Sequence, residues 1–309
     1  MKNFCTLFNS VYLTRAIAMM ESLHRYSPES RVWAFCLDDE SFQYLSHYPL
    51  PGVTPVGANE FETPELLSVK SGRNVAEYCW TCTPSIIDHC LRKLSLGSVI
   101  YLDADLFFFS SVEPLLVEFA KSGSSVLLTE HRYTPKYDHS LTSGVYCVQF
   151  MGFRHDDRGL AALDWWKARC LEWCFARAED GKFGDQKYLD DWKTRFPGVH
   201  VLQHLGGGVA PWNFFNYDIT EGPCVDGTAV VFCHFHALRW RKDGSFVKAE
   251  GYRLPGGAKQ FIYPPYLEAL GRALAQVRRY RLTFDAGLTP VLGWSMHDVL
   301  FRIKEWIRA

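Results

Sequence analysis

Short apolar runs alternate with amphipathic segments along most of the chain, and their two periods predict different elements. Continuous or alternating apolar runs predict strands over residues 4–8, 31–37, 98–109, 125–128, 145–150, 199–202 and 229–236. Helices are predicted over residues 13–26, 41–48, 74–94 (with a break or shift at Pro84), 112–121, 160–178, 184–194 and 264–309. Strands that alternate with helices favour an α/β fold with a doubly wound, mixed but mainly parallel sheet, followed here by a C-terminal helical tail.

The composition is that of a globular protein. Apolar residues make up 48% and charged residues 22% of the 309 residues, and the formal net charge is −1. This balance provides no basic surface for a nucleic acid. Several of the ten cysteines lie within apolar patterns, a strand is predicted directly after Met1, and no apolar run reaches the length of a membrane span. These features predict a cytoplasmic protein without a signal peptide.

Two carboxylates interrupt the predicted strand 98–109. Asp103 and Asp105 are two residues apart, and side chains at this spacing point to the same side of a strand. Like charges beside buried apolar surface need compensation, which a divalent cation can provide while it keeps positions for substrate phosphates. The alternative is a strand end with two solvated acids, but the apolar residues on both sides favour a metal site.

Two further clusters carry polar side chains. Ser143-Gly144 precedes a predicted strand, where a glycine allows close approach of the backbone to a ligand or simply forms a turn. Asp185-Gln186 lies near the start of a predicted helix. Capping would explain Asp185, but it does not explain Gln186 as easily.

Two histidines complete the set of candidate ligands. His234 and His236 share one side of the predicted strand 229–236, at a spacing that suits a metal. A single histidine on such a strand is commonly a core residue. Because an Asp-x-Asp pair lies elsewhere in the chain, a neutral imidazole that completes a metal shell is the favoured interpretation.

In this order, the clusters resemble the nucleotide-sugar-dependent glycosyltransferases with the GT-A fold, most nearly family 8. That family has an aliphatic-Tyr-Leu-Asp-x-Asp motif, an Asn/Ser-x-Gly strand, an Asp-Gln helix start, a Trp-Asn pair and a His-Phe-x-Gly segment. The matching stretches here are Tyr101-Leu102-Asp103-Ala104-Asp105, Ser143-Gly144, Asp185-Gln186, Trp212-Asn213 and His234-Phe235. The resemblance covers about residues 1–245, the expected catalytic domain, and leaves 246–309 as a C-terminal helical extension.

The resemblance implies a metal cofactor and its ligands. Mn²⁺ or Mg²⁺ would be held against the diphosphate of a sugar nucleotide by Asp103 and Asp105. His234 would be the third protein ligand, with His236 as the alternative.

The resemblance also implies residues that contact the donor. Asp185 and Gln186 would line the face of the sugar where the bond breaks, and they are the catalytic candidates. Other residues expected at the nucleotide sugar are Asn9, Tyr12, Lys70, Arg73, Asp103, Ser143, Gly144, Trp212, Asn213 and Arg239.

The chain departs from the family at two cationic positions. Ala237 stands where the family has a glycine, and the lysine that follows in the family is replaced by Arg239 or Lys242 at a shifted spacing. The arginine usual in the helix before the metal strand is replaced near residues 81–83. These differences suggest a divergent relative.

The predicted function is that of a metal-dependent, hexosyl-type glycosyltransferase. It would move a sugar from a nucleotide-diphosphate donor, with a UDP-sugar favoured, to a glycan, lipid-linked or other hydroxyl acceptor in surface polysaccharide or glycoconjugate synthesis. Retention of configuration is favoured over inversion. A sugar nucleotidyltransferase and a non-catalytic sugar-binding module are the alternatives.

The C-terminal tail is rich in basic and aromatic residues, among them Arg278, Arg279, Arg281, Trp294 and Trp306. Such a tail could dock on an anionic membrane, which would place the protein on the cytoplasmic face. The favoured alternative is a helix packed on the domain or on a second subunit.

Overall fold

The computed structural model describes residues 2–291 of the chain. Fifteen strands lie within this range. They are β1 (Lys2–Phe8), β2 (Ser30–Cys36), β3 (Val53–Gly57), β4 (Ser98–Leu102), β5 (Leu106–Phe108), β6 (Val126–Glu130), β7 (Tyr146–Arg154), β8 (Val199–Val201), β9 (Ile219–Thr220), β10 (Cys224–Val225), β11 (Thr228–Ala229), β12 (Phe232–His234), β13 (Arg239–Arg241), β14 (Phe246–Val247) and β15 (Leu288–Thr289).

Seven strands form the central sheet, in the order β3-β2-β1-β4-β7-β6-β8. Neighbouring strands are parallel, except that β7 runs antiparallel to β4 and β6. The mixed, mainly parallel sheet predicted from the sequence is therefore confirmed. A separate antiparallel pair, β5 with β12, aligns His234 with Leu106.

Ten α-helices accompany the sheets in the described part of the chain. They are α1 (Leu13–Tyr26), α2 (Asp39–His47), α3 (Ala58–Phe61), α4 (Pro64–Lys70), α5 (Val75–Asp88), α6 (Glu113–Ser122), α7 (Ser140–Ser143), α8 (Asp157–Glu172), α9 (Trp192–Arg195) and α10 (Tyr263–Tyr280). No helix within residues 2–291 is long and apolar enough to cross a membrane.

The apolar core lies on the two faces of the central sheet, because successive residues of a strand point to opposite sides. Phe4 of β1 joins the cluster that contains α1 and α10. Its neighbour Cys5 joins the cluster that contains α5 and α8. Helix α10 packs directly on α1, so the first part of the C-terminal extension lies against the sheet domain.

The predicted strand 98–109 is two strands joined by a turn, which corrects the strand geometry expected for the two carboxylates. The Leu106 amide donates to the Asp103 carbonyl at 3.4 Å, and β5 then leaves the central sheet to pair with β12. Asp103 and Asp105 therefore lie in a turn at the edge of the sheet and not within a strand. Such a position keeps both carboxylates in contact with the cavity described below.

Four predicted helices differ from the structure. The helix predicted over residues 160–178 is α8, which begins at Asp157 and ends at Glu172. Helix α5 continues through Pro84, because packing on β1 and α8 offsets the missing hydrogen bond, and it changes to a π-helical turn at His89–Lys93. Residues 184–194 form only a 3₁₀ turn and the short α9, since the left-handed φ of Gly184 (+52°) does not fit a helix. The tail helix ends at Tyr280, and residues 292–309, with Trp294 and Trp306, lie outside the described residues.

Candidate active site

A cavity of about 680 Å³ opens at the carboxyl ends of β1, β2 and β4. Ligands of doubly wound sheets bind at this edge. The residues that line the cavity form three regions. An apolar end follows β1 and β2 and contains Leu7, Phe8, Leu37, Val75 and Ala76. An acidic floor contains Asp103, Asp105 and Asp185. An aromatic end, beside β6 and β7, contains His131, Tyr133, His139, Trp212, His236 and Tyr252.

The two carboxylates of the Asp-x-Asp pair converge on one imidazole. Nε2 of His234 lies 3.1 Å from Oδ1 of Asp105 and 3.8 Å from Oδ2 of Asp103. Tyr101 holds the carboxylate of Asp103 in place, because its hydroxyl donates a 3.0 Å hydrogen bond to Oδ1 of Asp103. The pairing of β5 with β12 explains the convergence, since it brings the end of β12 to the turn that carries both acids.

The charges of these groups are strongly coupled. Burial raises the pKa of Asp103 to about 6, although His234 opposes this shift. Burial also acts to raise the pKa of Asp105, but the attraction of His234 outweighs it and lowers that pKa to about 2. For His234, burial lowers the pKa, yet Asp105 and Asp103 together raise it well above the ordinary value of histidine.

The chemistry of the donor set suits a divalent cation. Two carboxylates and one imidazole are a common set of ligands for such an ion. Nε2 of His234 faces both carboxylates. Within residues 2–291, no lysine or arginine side chain lines the cavity. A bound metal ion would supply positive charge there to balance a bound diphosphate.

Asp185 forms the third acid of the floor and lies in a turn, not at the helix start that the sequence predicted. It is 5% exposed, and its backbone carbonyl accepts a 2.8 Å bond from Nε1 of Trp166. Burial, reinforced by the charge of Asp103, raises the pKa of Asp185 to about 8. At neutral pH this side chain is therefore mostly protonated and can donate a hydrogen bond.

Gln186 and the Ser143-Gly144 turn form one unit. Nε2 of Gln186 donates to the Ser143 carbonyl at 2.7 Å, so its amide oxygen is the end that can contact a ligand. Gly144 has a φ of +98°, and a Cβ there would lie 2.9 Å from Oδ1 of Asp190. The close approach that requires glycine here is to the loop of Gln186.

Asn9 and Tyr12 lie at the apolar end of the cavity, as the resemblance implied. Tyr12 is 42% exposed, and the guanidinium of Arg15 lies 4.9 Å from its ring centroid. The negative charge of Asp105 is the main cause that raises the pKa of Tyr12 to about 12. Tyr12 thus connects the apolar end to the acidic floor.

The aromatic end includes several residues that the sequence analysis did not identify. Tyr133 stacks on His131 with the ring centroids 4.5 Å apart, and Trp212 contacts both rings edge to face. Burial lowers the pKa of His131 to about 3, and burial together with His234 lowers the pKa of His236 to about 4. These histidines are neutral at pH 7. The sequence did single out His236 and Trp212, but His236 lies in the turn after β12 and not on the predicted strand with His234. No motif distinguishes His131, Tyr133, His139 or Tyr252, because they come from loops after different strands.

Five residues expected at the nucleotide sugar do not line the cavity: Gly144, described above, and Lys70, Arg73, Asn213 and Arg239. Lys70 forms a 2.7 Å ion pair with Glu62, and Arg239 pairs with Glu250 at the surface. The polar groups of Arg73 and Asn213 form hydrogen bonds with other residues. Arg73 donates to Oγ1 of Thr81 and to the Leu171 carbonyl, and Asn213 binds the backbone of His131, Gly208 and Ala210. These four side chains are engaged in contacts within the protein and do not line the cavity.

The chain has relatives in Bacillus subtilis (strain 168), although no family model matches it. It is 29% identical over 296 residues to the uncharacterized protein YfnD, a match that covers 93% of this chain and 94% of YfnD. It is 32% identical over 248 residues to the uncharacterized protein YfnF, covering 76% of this chain and 81% of YfnF.

Solved structures share the fold at low sequence identity. The galactosyltransferase LgtC, in complex with donor and acceptor sugar analogues, has a TM-score of 0.57 at 13% identity, over 87% of this chain and 95% of LgtC. An active-site variant of LgtC, with a glutamine replaced by glutamate, gives a TM-score of 0.56. The glycosyltransferase GlyE of Streptococcus pneumoniae TIGR4 has a TM-score of 0.53 at 14% identity, over 89% of this chain and 63% of GlyE.

These similarities define the class of the fold, which is the GT-A glycosyltransferase fold. The resemblance seen in the sequence is therefore confirmed at this level. Within that class, the chain belongs to the same family as YfnF of Bacillus subtilis.

Proposed function

We propose that this protein is a metal-dependent glycosyltransferase that takes a sugar from a nucleotide-diphosphate donor and transfers it to a hydroxyl acceptor. The observation that carries the proposal is the convergence of Asp103, Asp105 and His234 on the floor of the cavity. This arrangement stands at the sheet edge where ligands of such folds bind. The LgtC complex with donor and acceptor sugar analogues supports the assignment of the same class of substrates.

The donor nucleotide would occupy the apolar end. Leu37 and Val75 offer apolar contacts to a base, and Asn9 and Tyr12 stand between them and the acidic floor. In this orientation the diphosphate reaches the Asp-x-Asp turn. A uridine nucleotide is the donor that the family resemblance favours.

Asp103, Asp105 and His234 would hold Mn²⁺ or Mg²⁺, which when bound neutralises charge on the leaving diphosphate. Asp103 and Asp105 would hold the ion at the point where the diphosphate binds. To act as a ligand, His234 would release the proton it shares with Asp105 to the solvent, which would free its Nε2 for the ion. Tyr101 keeps Asp103 in place through the hydroxyl bond to Oδ1.

The sugar of the donor would lie over Asp185 and Gln186. A protonated Asp185 can donate a hydrogen bond to a sugar hydroxyl, and it cannot act as a base in that state. The amide oxygen of Gln186 can stabilise the positive charge that develops at the anomeric carbon. These roles favour retention of configuration, because a protonated Asp185 provides no carboxylate base for an inverting attack. The active-site glutamine of LgtC supports the role given to Gln186.

The acceptor would enter at the aromatic end. Sugar rings pack their C–H faces on aromatic side chains, and Tyr133, Trp212 and Tyr252 offer such faces. His139 and His236 add hydrogen-bonding groups beside these rings. A glycan or a lipid-linked sugar in surface polysaccharide synthesis is therefore the proposed acceptor class, with the protein acting in the cytoplasm or on the cytoplasmic face of the membrane.

A panel of UDP-, GDP-, dTDP- and CMP-linked sugars tests the proposal. Each is added to the protein with Mn²⁺ or with a chelator, and both the thermal shift and the released products are measured. The proposal expects one donor to stabilise the protein only with metal, and release of the free nucleoside diphosphate. With pyrophosphate added, formation of a nucleoside triphosphate and a sugar 1-phosphate would indicate a nucleotidyltransferase instead. No shift with any donor would indicate that the protein is not a sugar-nucleotide enzyme.

A further inference from the structure

A buried thiol faces the acidic floor and has no role in the function proposed above. Sγ of Cys147, an oxygen of Asp103 and a ring nitrogen of His234 all lie within 4.8 Å of one another. Cys147 is 4% exposed and lines the cavity. A carboxylate, a thiol and an imidazole at such short distances form a set of potential metal ligands.

The backbone holds Cys147 in this position. Strand β7 runs alongside the Asp-x-Asp turn, because the Asp103 amide donates to the Gln149 carbonyl at 3.0 Å. Cys147 precedes Gln149 by two residues in β7, and it pairs with Thr129 of β6. Ala210, Trp212 and Tyr137 pack around the thiol. Its place beside the carboxylate is therefore set by the sheet and by tight packing.

A second observation points to a ligand at the same place. His234 is 6% exposed, and its Nε2 faces Oδ1 of Asp105 at 3.1 Å and Oδ2 of Asp103 at 3.8 Å. Two carboxylates brought together in a buried site cost free energy, unless a group absent from the protein balances their charge. The carboxylates nearby make a cation the matching group.

We propose that Cys147 is a ligand of the same cation, together with Asp103 and His234. The inference rests on the metal site of the proposed function and extends it to a site with oxygen, nitrogen and sulfur donors. Bonds of about 2.0–2.3 Å allow donor atoms on one ion to lie up to about 4.4 Å apart, so small side-chain rotations close the observed cluster. Coordination releases the thiol proton to the solvent.

The donor set determines which metals the site prefers. Thiolates bind Zn²⁺, Co²⁺ and other borderline ions much better than Mg²⁺, which takes oxygen ligands. The site would therefore select a borderline transition metal over Mg²⁺. A thiol that only fills space would give no such selectivity, and this is the alternative that the experiment must exclude.

The experiment is a titration of the metal-free, full-length protein with Co²⁺ in the absence of donor and acceptor. The parent is compared with Cys147→Ser, and with Cys147→Ala in case the serine variant does not fold. Cys79→Ser is the matched control, because Cys79 lines the same cavity but lies outside the cluster of ligand atoms. Circular dichroism verifies the fold of each variant.

A thiolate bound to Co²⁺ gives a charge-transfer band in the near ultraviolet. We expect this band in the parent and in Cys79→Ser, and its loss in both Cys147 variants. The affinity for Zn²⁺ should fall by at least the roughly 10- to 100-fold that loss of an outer-shell partner costs, while the affinity for Mg²⁺ changes little. A parent without the band, or a band that persists without Cys147, would overturn the inference.

The result is separate from the test of the proposed function. A protein that shows the band but processes no sugar nucleotide would keep the thiolate site and lose the transferase. A protein that transfers sugar but shows no band would keep the transferase and lose the thiolate ligand.

Discussion

Oδ1 of Asp105 lies 3.1 Å from Nε2 of His234. The antiparallel register of β5 and β12 explains this contact, because it aligns His234 with Leu106, the residue after Asp105. This contact is the structural basis of the proposed metal site. It joins a turn at the edge of the central sheet to a strand from much later in the chain. The predictions below test the residues around it.

The pH dependence of stability should report on Asp185. Its pKa of about 8 in the folded protein exceeds the ordinary value of about 3.9, so the folded state retains a proton that the unfolded state has lost. The free energy of unfolding contributed by this group therefore falls as pH rises between those values. Asp185→Asn removes the effect.

We therefore expect the stability of Asp185→Asn relative to the parent to increase from about pH 5 to pH 8. Denaturant unfolding with chelator present measures this difference. Asp164→Asn is the control, because Asp164 is an exposed acid that pairs with Arg92 outside the cavity. A difference between Asp185→Asn and the parent that stays constant with pH would show that Asp185 ionises normally.

Gly144→Ala should destabilise the protein by about 1–3 kcal/mol. The φ of +98° is unfavourable for alanine, and the new Cβ would approach Asp190 and Lys187. The matched control is Gly271→Ala in α10, which meets open space and should stabilise the helix by about 0.5–1 kcal/mol. Equal effects of the two substitutions in urea unfolding would contradict this explanation.

Gln186→Ala should lower kcat about 100-fold, and KM for the donor should change little, since the contact with the developing charge forms only in the transition state. Steady-state kinetics with the donor identified in the panel measure both constants. Gln203→Ala serves as the control, because its amide donates to the Val201 carbonyl outside the cavity. A rise in KM alone would mean that Gln186 only binds the donor.

Arg73→Ala should lower the free energy of unfolding by about 1.5–3 kcal/mol and leave KM for the donor unchanged. Arg73 joins Thr81 of α5 to the end of α8 and does not line the cavity. Arg239→Ala breaks only an exposed ion pair, so its cost should be below about 1 kcal/mol. A large rise in KM for either variant would place a phosphate contact there after all.

The sequence predicted local elements better than long-range contacts. Helix α1 has the predicted bounds, because its apolar residues recur at the regular spacing of a helix. Asp103, Asp105 and His234 were predicted as candidate ligands from the sequence. The turn that carries the two acids was not predicted, since it forms only when β5 leaves the central sheet to pair with β12.

Other parts of the site could not be predicted for a similar reason. Cys147 looks like any small apolar residue of a strand, and only the pairing of β7 with β4 places it beside Asp103. Arg73 looked available for phosphate, but its hydrogen bonds depend on the packing of α5 against α8. These contacts are set by tertiary structure, which spacing along the chain does not encode.

The most direct test of the central claim is calorimetry of donor binding to the parent and to Asp105→Asn. The donor is the sugar nucleotide identified in the panel, and each titration is done with Mn²⁺ and with chelator; Asp164→Asn is the control for the loss of a carboxylate. We predict that the parent and the control bind the donor with metal and lose binding with chelator, whereas Asp105→Asn shows no metal-dependent binding. Unchanged metal-dependent binding by Asp105→Asn would contradict the proposed site.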